Sequence, residues 1–214
     1  MKISYITTYD ANDMHQWSVL GFSIANIQAP KSYSETKERF KKKEVKNYIY
    51  FVIGLAFEIV QIINNLGLKT TLHVVGIPIL PFEKIPDCIV NYGFISKKNQ
   101  DGILKLESLY DLCHFMLVPS KAEAYGLVYC EANANGIPSI ASNVGGITTI
   151  IKEELNGKTF SLDTKAVDWA TYIYNLFLDV EKYKALCTSS FDQFQKRLNW
   201  NAASSTIQKL LNDL

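Results

Sequence analysis

From Tyr48 onward, short runs rich in β-branched and aromatic residues alternate with stretches of helical period, and this alternation restricts the fold more than any other property of the chain. The runs are YIYFVI, TLHVVG, CIVNYG, FMLVP, PSIAS and KTFSL, and the helical stretches cover residues 55–66, 103–112 and 126–135. Strands that alternate with helices build a parallel sheet covered on both faces. The expected fold class is therefore α/β, a Rossmann-like parallel sheet with helices on both sides. Leu55, Ile59, Ile62, Ile63 and Leu66 recur at steps of three and four before Gly67, a C-cap residue, with Gly54 as the switch from strand to helix. Ile103, Leu106, Leu109 and Tyr110 form a second core stripe, and Asn135-Gly136-Ile137-Pro138 stops a third helix ahead of a strand. Helices over 167–178 and 181–195 cover the sheet, and Asn199-Trp200 opens a last helix over 199–214.

The N-terminal part has a different texture. Residues 2–9 read as a strand and 17–28 as a short helix with Leu20, Ile24 and Ile27 on one side, ended by Pro30. Residues 31–46 lack a core-facing pattern and hold seven basic against three acidic residues, which marks a solvated basic linker. The division that follows is a βα piece over 1–30, the linker over 31–46, a Rossmann-like domain over 47–198 and a closing helix. At 214 residues and 48% hydrophobic the chain can bury a sizeable core, but it is too short for two complete Rossmann-like domains.

A net charge of +1 gives no electrostatic reason to expect nucleic acid as a partner. Four widely spaced cysteines, Cys88, Cys113, Cys130 and Cys187, have no histidines at metal-ligand spacing and fit free thiols in a reducing cytoplasm, with no metal expected. The first residues alternate like a strand and lack the apolar run of a signal peptide. The apolar stretch 48–63 is too short to span a membrane and holds Glu58, so membrane association is at most peripheral.

Ligands of an open parallel sheet bind beyond the carboxyl ends of its strands. Three loops at that edge carry unusual residues: Gly93-Phe94-Ile95-Ser96, residues 120–125, and 143–146. The middle one, SKAEAYGLVYCEA, places Glu123 in the loop, Gly126 at a helix start and Glu131 about one turn inside an otherwise apolar helix. Free backbone N–H groups at a helix amino end suit a diphosphate, and Gly126 lets that backbone come close. Helical side chains lean toward the amino end, so Glu131 points back toward a bound ligand, where a carboxylate can accept from two vicinal ribose hydroxyls. Two plainer readings stand beside these: Glu123 as a surface charge, and Glu131 as the partner of a buried Arg or Lys. A charge embedded in LVYCEANA is costly without a partner, and no basic residue lies on the same helix.

With Leu117-Val118-Pro119-Ser120 ahead of it, a Glu, seven residues and another Glu resembles the signature of the family 4 (group 1) glycosyltransferases of the GT-B fold, enzymes of two facing Rossmann-like domains. LHVVG, NYGFIS, GIPSIAS, NVGG and LNGKTF also match in order, so the resemblance covers roughly residues 47–214. It implies the C-terminal, donor-binding half of a GT-B fold. Glu131 would hold the donor ribose, and Glu123 would act at the transferred sugar as the catalytic carboxyl. Backbone amides of Tyr125, Gly126, Leu127 and Val128 would meet the diphosphate and sugar. Gly93, Phe94 and Ile95 resemble the base-binding turn, Gly145 and Gly146 the glycine pair behind the donor, and Ser120 belongs to the signature. The implied reaction is glycosyl transfer from a nucleotide sugar with retention and no obligatory metal or cofactor.

Three departures accompany the resemblance. Residues 1–30 resemble only the first strand and helix of the acceptor domain, so the N-terminal βα piece is expected to be its remnant and the acceptor stays unidentified. The Arg and Lys that the family places after the first donor-domain strand have no counterpart where Gly54 runs into Leu55-Ala56-Phe57, which leaves Lys121 as the substitute. Thr149 stands where many relatives have a carboxylate, and of the three histidines His15 falls nearest the cleft while His73 and His114 are structural. Retention of Glu123, Gly126 and Glu131 favours an active transferase. Loss of the basic pair favours an inactive nucleotide-binding or protein-interaction module. A truncated first domain would expose apolar surface that invites a protein partner or a second copy.

Overall fold

A computed structural model describes the backbone of residues 1–6 and 43–213 and the side chains of residues 1–2 and 52–213. Six parallel strands form one sheet in the order β3-β2-β1-β4-β5-β6. They are β1 (Lys2–Ile6), β2 (Thr71–Val75), β3 (Ile89–Asn91), β4 (Phe115–Val118), β5 (Ser139–Ser142) and β6 (Gly157–Phe160). The helices are α1 (Lys43–Asn65), α2 (Gln100–Leu112), α3 (Leu127–Ala134), the four-residue α4 (Ile147–Ile150), α5 (Ala166–Leu178), α6 (Val180–Arg197) and α7 (Trp200–Asn212).

The alternation of strands and helices reads through to the structure from Thr71 onward, because the strands there, β6 apart, are short, mainly apolar runs between polar turns. All four residues of β4 and of β5 are buried, which requires helices on both faces of the sheet. Right-handed crossovers place α1, between β1 and β2, on one face and α2 and α3 on the other, because the strand order reverses direction after β1. Helix α5 packs on α1, and α6 packs on α3. Side-chain caps start three helices: Asn99 accepts from the Gly102 N–H at 2.8 Å, Asp179 from Lys182 at 3.1 Å and Asn199 from Ala202 at 2.9 Å.

Two expectations are corrected. The run YIYFVI is not a strand and Gly54 is not a strand-to-helix switch; both lie inside α1. Val52, Ile53, Ala56, Ile59, Val60 and Ile63 are all buried, a helical period that continues into the run. A six-residue apolar run suits a buried strand or a buried helix face equally, and packing against α5 decides it. The second correction concerns the division at residue 30. Strand β1 is not the edge of a separate piece but the centre of the sheet, pairing residue for residue with β2 from Lys2↔Thr71 to Ile6↔Val75 and with β4 through Ile3 and Ser4. The expected helix over 17–28 and most of the linker lie outside the described residues, and residues 43–46 belong to α1. Among the described residues no helix is long and apolar enough to cross a membrane. All four cysteines are free thiols, with Cys113 and Cys130 buried.

Candidate functional site

The reversal of strand order falls between β1 and β4, and ligands of open parallel sheets bind beyond the carboxyl ends of the strands at such a point. The three loops singled out in the sequence leave β3, β4 and β5 at this same edge, since every strand pair is parallel. Residues 7–42, directly after β1, lie outside the described residues, and with them His15 and the place where a basic pair would follow the central strand. The gap read at 54–57 therefore falls in a helix instead of a ligand loop.

Glu123 is buried, at 4% exposure, and neither carboxyl oxygen has a hydrogen-bond partner among the described residues. Burial pushes its pKa up to about 8, against a smaller opposite pull from the neighbouring Ala124 N–H, which stays outside bonding geometry. Its side chain runs beside the amino end of α3: a methyl group placed on Gly126 would lie 3.5 Å from the Glu123 Cγ. Gly126 is the N-cap of α3, in left-handed backbone, and no side chain caps that helix. The Ser120 hydroxyl, also buried, has no partner either.

Gly145 and Gly146 hold this loop in place. A Cβ at Gly145 would sit 1.8 Å from the Glu123 carbonyl oxygen, and one at Gly146 would sit 2.1 Å from that of Ala124. The Gly146 N–H donates to the Ala124 carbonyl at 3.1 Å. The glycine pair thus lets the β5 loop lie directly against the backbone that carries Glu123. Thr149 turns its hydroxyl inward on the Gly146 carbonyl, at 2.6 Å.

Glu131 is half-buried on α3 and bound at both oxygens. The Tyr110 hydroxyl, from α2, donates to Oε2 at 2.8 Å, and the Lys97 ammonium, from the turn after β3, donates to Oε1. The plainer reading asked for a buried Arg or Lys; the basic partner present, Lys97, is exposed and lies on a different element. Burial, with the adjacent Glu131 carboxylate second, pushes the Tyr110 pKa far up, so its hydroxyl keeps its proton. The sequence reading has Tyr110 only in a core stripe and does not name Lys97, since only the fold brings residues 97, 110 and 131 together. Lys97-Lys98 directly after NYGFIS was the available signal.

The remaining sequence candidates divide by exposure. Phe94, Lys121, Tyr125 and Leu127 are exposed, whereas Ile95 and Val128 are buried in the core and offer the site only their backbone. Gly93 takes a positive φ of 62° and its carbonyl accepts from the Gly76 N–H at 2.7 Å. The Tyr125 hydroxyl lies against Cys130, within electrostatic reach of Arg197. Arg197 itself donates to the Thr149 carbonyl at 2.8 Å and to that of Ile150, tying α6 to the end of α4. His73 bonds the Tyr92 hydroxyl at 2.9 Å, and His114 accepts from the Lys2 N–H at 2.9 Å; burial first lowers the pKa of both, as befits structural histidines. Among the described residues no group of three or more His, Cys, Asp or Glu side chains is placed to hold a metal ion.

A separate groove of about 580 Å³ opens between α1 and the amino end of α5, lined by Gly54, Leu55, Glu58, Ile62, Leu162 and Lys165 among others. It holds no buried polar group lacking a partner. The orphaned carboxyl of Glu123 places the candidate site at the β4–α3 loop instead.

Comparisons with known proteins cover the same stretch of the chain. Residues 91–189 match the family model of the glycosyl transferases group 1. An uncharacterised glycosyltransferase of Methanocaldococcus jannaschii is 27% identical over 135 residues, 62% of this chain and 38% of that protein. The sulfoquinovosyl transferase of Arabidopsis thaliana is 32% identical over 106 residues, 49% of this chain and 21% of its own length. The chain thus spans well under half the length of these relatives. Among solved structures, Anabaena HepE in complex with UDP-glucose superposes with a TM-score of 0.58 at 16% identity, covering 100% of this chain and 49% of HepE, a likeness of fold. The segment that carries Glu123, Glu131 and the glycine pair thus lies inside the match to the glycosyl transferases group 1.

Proposed function

We propose that the crevice beyond β1 and β4 binds a nucleotide sugar and that the chain takes part in glycosyl transfer with retention of anomeric configuration. The observation that carries this reading is Glu123: a buried carboxyl with neither oxygen satisfied, beside an uncapped helix amino end. Buried polar groups without a partner are rare in folded proteins, and one at the switch point of a parallel sheet is a place for a ligand to complete. At neutral pH most Glu123 side chains carry the proton, so the group can donate a hydrogen bond to a sugar oxygen without repelling a diphosphate. The amides of Leu127 and Val128 and the helix dipole receive the diphosphate, with Lys121 as the added cation. Phe94 offers an exposed ring to a base, and Glu131 accepts from the ribose. The group 1 family match and the UDP-glucose complex of the structural neighbour HepE support the same ligand class. The reading calls for no cofactor beside the nucleotide sugar itself.

Titration calorimetry with UDP, GDP and ADP tests the binding claim. At least one is expected to bind, and Glu131→Ala is expected to weaken it about a hundredfold, the loss of two charge-assisted hydrogen bonds. Absence of binding by all three removes the proposal. Binding without release of sugar from any nucleotide sugar would leave a nucleotide-binding module and end the catalytic part.

A further inference from the structure

Two side chains from two other elements hold Glu131, and they leave it a definite capacity. An ionised carboxylate has about four lone-pair positions. Tyr110 takes one on Oε2 and Lys97 takes one on Oε1, so each oxygen keeps one position free, which matches a pair of vicinal hydroxyls. We propose that Lys97 is a positioning residue: with Tyr110 it fixes the Glu131 carboxylate in the orientation that accepts both ribose hydroxyls of a nucleoside diphosphate. The inference rests on the nucleotide-sugar reading of the site.

The two holders differ in kind. Tyr110 is buried in α2 and rigid, whereas Lys97 is exposed and reaches across from the turn after β3. Tyr110 alone anchors one oxygen and leaves the carboxylate free to turn about that bond. Lys97 removes the remaining freedom, so the cost of ordering a Glu side chain is met before the ligand arrives. Lys97 lies three residues after Phe94 on one turn, so the segment that offers a ring to the base also sets the group that reads the ribose.

The experiment uses the full chain, the nucleoside diphosphate among UDP, GDP and ADP that it binds most tightly, and the 2′,3′-dideoxy analogue of that nucleotide. Calorimetry of Lys97→Met is expected to show about a tenfold loss for the natural nucleotide and less than about a twofold change for the dideoxy analogue. Lys97→Arg is expected to restore most of the affinity, and thermal melting is expected to show all of these proteins folded. Equal weakening of both ligands would make Lys97 a phosphate cation and overturn the proposal. So would unchanged affinity for the natural nucleotide in Lys97→Met when Glu131→Ala has lost it. Failure of the wild-type chain to bind any of the three is a different result, since it removes the site reading and this inference with it.

Discussion

The loop between β4 and α3 and the body of α3 each present one carboxyl to the same edge of the sheet, eight residues apart, and the two are treated in opposite ways. Glu123 is buried and unsatisfied, while Glu131 is half-exposed and bound at both oxygens. Environment, not residue type, divides their behaviour: desolvation keeps the first a neutral acid at neutral pH, and an ammonium and a phenol keep the second in a fixed orientation. The backbone that carries Glu123 is held from outside its own loop by the contact at Gly145, so the contrast can be attacked from three directions.

The largest effect is expected where that contact is made. Gly145→Ala places a Cβ 1.8 Å from the Glu123 carbonyl oxygen in left-handed backbone, and urea unfolding should show a loss of about 3 kcal/mol. A loss under about 1 kcal/mol would mean the two loops are not locked together. Next comes the Glu123 proton. Its folded pKa of about 8 lies above the ordinary 4.5, so the folded state holds a proton that the unfolded chain releases between those values. Stability should therefore fall as pH rises from about 5 to about 8, by on the order of 3 kcal/mol from this group. Urea midpoints across that window should lose this slope in Glu123→Gln, and an unaltered slope would place the carboxyl in water.

Smaller effects belong to Glu131. Tyr110→Phe removes one hydrogen bond next to a carboxylate that water can reach, and chemical denaturation should register about 1 kcal/mol. Lys97→Met breaks an ion pair whose side chains are 39% and 30% exposed, so the same measurement should move by less than about 0.5 kcal/mol. A large stability loss there would make the pair structural and erase the contrast with Glu123.

The sequence discloses these two regions unequally. The strands TLHVVG, CIVNYG, FMLVP, PSIAS and KTFSL and the helices after them are legible because each is a local pattern closed by a local turn or cap. The order of Glu123, Gly126, Glu131 and Gly145-Gly146 along the chain is legible as well, and so is their gathering at one edge, once the strands are taken as parallel. YIYFVI misleads because its strand-like composition and its helical burial period coexist, and only packing on α5 separates them. The central place of β1 is not legible, since its partners begin at Thr71 and Phe115 and no local pattern announces them. Lys97 is hidden for the same reason: its partner is 34 residues away, on another element. The backbone that carries Glu123 is held by a carbonyl contact with a loop some twenty residues later, which composition does not record.

The position of β1 also bears on how the chain acquires its shape during synthesis. Residues 2–6 leave the ribosome before either neighbour, and the strand on one side arrives with Thr71, the other only with Phe115. Local hairpin-like closure is excluded, so β1 stays unpaired along one edge until Phe115 and the residues after it have been made. Sequence-distant pairing of this sort slows folding and lengthens the exposure of strand edges, so the nascent chain, more than the finished one, is the form open to misassembly.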